Sequence, residues 1–155
     1  MTARIIALLA LATTLFACAD AQPADDSTEM SEAPTGTEAD APEASVTIAS
    51  PAAGDTVAAG AVEVTLTASA LAIVPAGDST ANSGHHHLFL DADISPLGEP
   101  IPAVEGSIVH MGDGSASFTF EDVAPGEHRV IAVVGDWQHV PLEPLVTDTV
   151  VFIAR

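Results

Sequence analysis

Three observations on this 155-residue sequence predict an all-β domain. Short runs of β-branched and aromatic residues recur at regular spacing, bounded by Gly, Pro, Asn and Asp. Several of these runs alternate apolar and polar side chains, and no 3.6-residue apolar period appears after residue 17. About seven such runs in about 110 residues favour an immunoglobulin-like or fibronectin-type antiparallel β-sandwich, with a cupin-like or jelly-roll barrel as the alternative.

The chain begins with a processing signal. Arg4 supplies a small positive region, Ile5 to Ala12 form a short apolar run, and Leu15-Phe16-Ala17-Cys18 reads as a lipobox. The run is too short for a retained spanning helix. Residues 1–17 are therefore expected to be a lipoprotein signal peptide, with Cys18 as the lipidated residue; cleavage after Ala19 or Ala21 is the alternative and would release a soluble periplasmic protein. Either reading exports the domain. Residues 18–43 combine the lipidated Cys with Ala, Asp, Glu, Pro, Ser and Thr, too little apolar surface to offset ordering, which predicts a disordered acidic tether. The sandwich is assigned to residues 44–155.

Ser45 to Ala49 is the first predicted strand, and the turn Ser50 to Asp55 follows it. Val62, Val64, Leu66 and Ala68 then alternate with Glu63, Thr65 and Thr67, the pattern of a half-buried antiparallel strand. In His85 to Asp91, period two places His86, Leu88 and Leu90 on one face and His85, His87, Phe89 and Asp91 on the other, with the leucines marking the core. After a Pro-rich connection come Ser107 to Met111 and Ala116 to Phe120, the latter with Ala116, Phe118 and Phe120 inward. His128 to Val134 reads as a central strand buried on both faces, and residues 146–153 close the fold.

The net charge of -19, from 22 acidic residues against Arg4, Arg129 and Arg155, excludes nucleic acid as a partner and leaves the lipid as the only attachment to a membrane. With Cys18 committed to the anchor, no thiol remains for a disulfide or a thiolate site, so metal ligands must be nitrogen or oxygen donors. All six histidines lie between residues 85 and 139. His85 and His87, two apart on a strand, point the same way with Cα atoms roughly 6–7 Å apart. His110 and His139 complete a candidate metal site if their loops meet that pair. Imidazole ligands suit Cu, Zn or Ni, with copper favoured on affinity and zinc as the alternative. Met111 is a candidate soft donor for Cu(I), and Asp91 and Asp136 are candidates for orienting the imidazoles by hydrogen bonds. His86, on the leucine face, and His128, entering a buried strand after Pro125-Gly126, are expected to be structural. Trp137 is expected to pack near the loop rim.

Gly84-His85-His86-His87-Leu88, His110-Met111-Gly112-Asp113-Gly114, Pro125-Gly126-Glu127-His128 and Gly135-Asp136-Trp137-Gln138-His139-Val140-Pro141 together resemble a bacterial secreted family, domain-of-unknown-function family four-three-nine-nine. The stretch Val62 to Gly77 resembles its first half, for a coverage of residues 45–153. The family more often has His-Phe-Gly-Gly-Gly where this chain has His110 to Gly114, so Met111 and Asp113 depart from it. The resemblance implies an exported immunoglobulin-like domain with a shared histidine set; it does not imply an activity.

No enzyme pattern is complete. A histidine brace needs a mature N-terminal histidine, which neither cleavage supplies; the second cupin motif is not matched by Pro125-Gly126-Glu127-His128; and no Gly-x-Ser-x-Gly elbow is present. The expectation is a non-enzymatic periplasm-facing lipoprotein whose partner is a transition metal ion, most favourably copper, for storage, delivery or tolerance. Its rival is an interaction module for another envelope protein, with histidines that only tie loops together. Convergence of His85, His87, His110 and His139 separates the two, and metal affinity is expected to fall below about pH 6.5 as imidazoles protonate.

Overall fold

A computed structural model describes residues 42–155. The expected signal peptide, Cys18 and nearly all of the expected tether lie outside the described residues. The remainder is all-β: β1 (Ser45–Ser50), β2 (Thr56–Val57), β3 (Gly60–Ser69), β4 (Ala72–Ile73), β5 (Ser83–Leu90), β6 (Ile108–Met111), β7 (Ser117–Val123), β8 (Gly126–Gly135) and β9 (Thr147–Ala154), with no helix among the described residues. One sheet has the order β1-β3-β7. The other runs β2-β9-β8-β5-β4, and β6 pairs with β5 beyond β4.

The strands read from periodicity form, and the main pairings are antiparallel. The additional elements, β2 and β4, pair in parallel with β9 and β5 over two residues each. Two residues carry no alternation, so neither element is visible in the sequence pattern.

Between the sheets, Val46 and Ile48 of β1, Val62, Val64 and Leu66 of β3, and Phe120 and Val123 of β7 meet Leu88 and Leu90 of β5, Val130, Ala132 and Val134 of β8, and Val150, Phe152 and Ala154 of β9. Leucines 88 and 90 thus mark the core face as alternation requires. Of the inward set expected on β7, Phe120 is buried and Phe118 half-buried, whereas Ala116 lies before the strand and is exposed.

The outer face of the larger sheet is also covered. Phe89, Ile131 and Val133 form a second cluster with Ile101, and Ala92, Ile94 and Ile108 pack against it. The connection between β5 and β6 folds back over its own strands, so all eight residues of β5 are buried. Each fully buried large apolar side chain contributes about 1.5–3 kcal/mol, and this second cluster makes β5 and β8 a rigid base for the side chains beside it.

Candidate metal centre

On the outer face, continuing the row of Phe89, stand His87 and His85. His87 pairs with Val133 of β8 on one side and with His110 of β6 on the other, while His85 pairs with Gly135. Direct cross-strand pairing brings the His87 and His110 rings to 5.2 Å between centroids, nearly parallel at 28°. After Gly135 the chain turns through residues 136–140 and lowers His139 onto this group: its ring centroid is 4.5 Å from that of His110, 5.0 Å from His85 and 5.8 Å from His87. His85 lies 4.8 Å from His87 and 4.9 Å from His110. The structure brings all four imidazoles together.

Their nitrogens face one another. The Nε2 atoms of His85 and His87 are 3.1 Å apart and those of His110 and His139 are 3.2 Å apart. A metal–nitrogen bond of about 2.0–2.1 Å sets adjacent donors about 2.9 Å apart in a square-planar site and about 3.3 Å apart in a tetrahedral one. Ligand atoms of His85, His110 and His139 all lie within 4.8 Å of one another, so this triad could hold a metal, and His87 adds a fourth imidazole from below. The group is graded in depth: His85 and His87 are buried, His139 is half-buried and His110 is exposed, which opens the cluster to solvent on the β6 side.

Two glycines make the room. A Cβ on Gly135 would stand 3.0 Å from His87 Nε2, and one on Gly112 would stand 2.4 Å from His110 Cε1. Both glycines are in the motifs singled out above, yet their role depends on ring positions that only the fold supplies.

Burial, reinforced by the neighbouring His110 and His139, holds His85 down to about 4. Burial and then the adjoining histidines hold His87 down to about 3. Burial also lowers His110, with a contribution from His139, and lowers His86. These rings are neutral at ordinary pH and retain the lone pairs that ligate metal. The sequence-based limit near pH 6.5 assumes solvated imidazoles; burial moves proton competition at His85 and His87 to lower pH.

The remaining predicted residues lie elsewhere or act differently. His86 faces the core, 1% exposed, and its Nδ1 has no hydrogen-bond partner. Met111 pairs with His86 and is buried in the sandwich core on the face opposite His110, so it does not serve the cluster as a soft donor. The alternation that aims His110 outward aims its neighbour inward. Asp91 follows the end of β5 with φ 53° and turns toward β8, where Oδ2 accepts from His128 Nδ1 at 2.6 Å and Oδ1 accepts from the Arg129 amide at 2.8 Å. His128 Nε2 donates to the Ala124 carbonyl at 2.8 Å. Two acceptors require two N–H groups, so this geometry holds the imidazolium, and the Asp91 hydrogen bond raises the His128 pKa. The depression of ≈ 320 Å³ bordered by Asp91, Glu127, His128, Arg129 and Val151 thus offers no free histidine nitrogen. Trp137 is half exposed rather than packed.

Asp136 Oδ1 accepts from the amides of Gln138 and Val140, and no hydrogen bond joins Asp136 to an imidazole among the described residues. The sequence pointed to this aspartate but not to the backbone as its target.

Fold and site together define a β-sandwich domain with a four-histidine candidate metal centre on the outer face of its larger sheet. Residues 64–154, which carry the whole cluster, match the family described as Domain of unknown function (DUF4399), and the chain belongs to that family. No curated protein and no solved structure matches the chain.

Proposed function

We propose that this protein is an exported, lipid-anchored, non-enzymatic metal-binding protein that holds a transition metal, most favourably copper, for storage, delivery or tolerance. The observation that carries the reading is the convergence of His85, His87, His110 and His139, with Nε2 separations of 3.1 and 3.2 Å. Imidazole-only ligation and the affinity order of divalent ions favour Cu(II), with Zn(II) as the alternative. Burial of Met111 in the core removes the soft donor that would have favoured Cu(I). Export and anchoring rest on the Leu15 to Cys18 lipobox and on the acidic, cation-poor segment behind it.

The same nitrogen separations are those of N–H···N hydrogen bonds between imidazoles, which favours a second reading: an envelope interaction module in which His110 and His139 fasten β6 to the 136–140 loop and His85 and His87 hold each other on β5. Native mass spectrometry of the untagged protein, titrated with Cu(II) and Zn(II), separates the two. The metal reading expects a one-metal adduct that the His85→Ala/His87→Ala double variant loses. An adduct unchanged by that substitution refutes the assigned site, and no adduct with either ion leaves the structural reading standing.

A further inference from the structure

Three of the four clustered imidazoles leave paired strands, whose ladders set their directions, but His139 stands on a loop. Its backbone lies in the left-handed region, φ 68°, which is unfavourable for a residue with a Cβ. Such a conformation persists only where its surroundings over-determine it, and strained residues of this kind collect at ligand-binding positions.

One side chain supplies the restraint. Asp136 Oδ1 accepts the Gln138 amide at 2.8 Å and the Val140 amide at 2.9 Å, one on each side of His139. The backbone completes the clasp: the His139 amide donates to the Asp136 carbonyl at 2.9 Å, the Asp136 amide to the Val140 carbonyl at 2.8 Å, and the Ile101 amide to the His139 carbonyl at 2.8 Å. The last of these ties the loop to the connection that covers β5. At the far end of the side chain, His139 Nε2 arrives 3.2 Å from His110 Nε2.

We propose that Asp136 is the positioning residue of the metal centre: by clasping the amides that flank His139 it presets the imidazole against His110 and closes the site. This rests on the metal-binding reading and deepens it. The site has a strand-borne part, His85, His87 and His110, and a loop-borne ligand whose availability Asp136 sets. Asp136 acts on His139 through acceptor geometry, the Gln138 and Val140 amides both meeting Oδ1, while its charge separately reaches His85 as a smaller influence.

The affinity of the untagged protein for Cu(II), measured by competition with a chelator, tests this in five variants. Asp136→Asn keeps the acceptor oxygen and removes the charge; Asp136→Glu keeps the charge and displaces the oxygen by one methylene. Binding close to wild type in Asp136→Asn and weaker binding in Asp136→Glu are expected, and the reverse order overturns the proposal. Asp136→Ala is expected to lose about 10–100-fold, the usual effect of removing a group that orients a ligand. In a His139→Ala background the same substitution is expected to lose most of its effect, since the clasp has no imidazole left to position and only the lesser influence of the Asp136 charge on His85 remains. An undiminished effect in that background, or unchanged affinity in Asp136→Ala alone, overturns it. The Asn and Glu pair decides the matter if the Ala variant does not fold. Absence of both Cu(II) and Zn(II) binding by the wild type would overturn the metal reading and this inference together, whereas wild-type binding with the wrong variant order would overturn this inference alone.

Discussion

Acidification of the metal-free protein probes the cluster without any assumption about which ion it takes. An unfolded histidine titrates near 6.5, while His85 and His87 in the folded domain are held down to about 4 and about 3. Between those values the unfolded state binds protons that the folded state refuses, so the contribution of these histidines is intact above pH 6.5 and is lost as pH falls toward their folded values. At pH 5 each histidine lies about 1.5 pH units below its unfolded value and is still neutral in the fold, a loss of about 2 kcal/mol apiece at 1.36 kcal/mol per unit. The pair therefore contributes a loss of about 4 kcal/mol between pH 7.5 and pH 5, and the lowered His86 and His110 act in the same direction. The raised His128 acts oppositely: its contribution is full below 6.5 and is lost as pH rises through its folded value. It is a single pair with a half-exposed carboxylate, worth roughly 0–1 kcal/mol, and does not cancel the rest. Urea unfolding in a strong chelator, repeated across this pH range, measures the loss, and to the slope near pH 5 His85 and His87 should contribute about two of the protons taken up on unfolding. The His85→Ala/His87→Ala variant, whatever its absolute stability, should lose most of that slope. A profile flat to pH 5, or a slope that survives the double substitution, would refute the neutral buried cluster.

Cu(II) at a hundred times its Kd should stabilise the fold by about 2.7 kcal/mol, a rise of roughly 10 °C in melting temperature by calorimetry, and the structural reading expects no rise. Gly112→Ala should push the exposed His110 ring aside, lowering Cu(II) affinity with little change in urea stability; equal affinity would show that His110 is not a ligand. Gly135→Ala presses instead on His87, which is fully buried and cannot retreat, so about 1–3 kcal/mol of stability should be lost as well. Asp91→Ala should leave Cu(II) affinity unchanged and lower stability by about 1–3 kcal/mol at pH 6, with a smaller loss at alkaline pH where His128 has given up its proton; a loss of metal affinity would contradict the separation of the two sites.

The roles of the six histidines divide along lines that strand parity largely foretells. A period of two sends His86 to the core with Leu88 and Leu90 and leaves His85 and His87 together outside, and the structure has this division. The same rule, applied one residue past His110, would have withdrawn Met111 from the ligand set, because consecutive strand residues cannot share a face. Parity fails where the strand stops: alternation sets Asp91 beside His85 and His87, but β5 ends at Leu90 and the left-handed Asp91 turns its carboxylate toward His128. Nothing in the pattern announces the cover over the outer face, since residues 92–107 are rich in Pro and Gly and show no period. That cover matters chemically. Ile101, Ile94 and Ala92 keep the outer face of β5 dry at Phe89 beside the histidine row, and burial is the first cause of the lowered His85 and His87. An apolar roof over the neighbouring strand positions, glycines beside the His87 and His110 rings and an aspartate whose carboxylate holds the amides flanking the one loop-borne histidine are the features that accompany the gathering of four imidazoles.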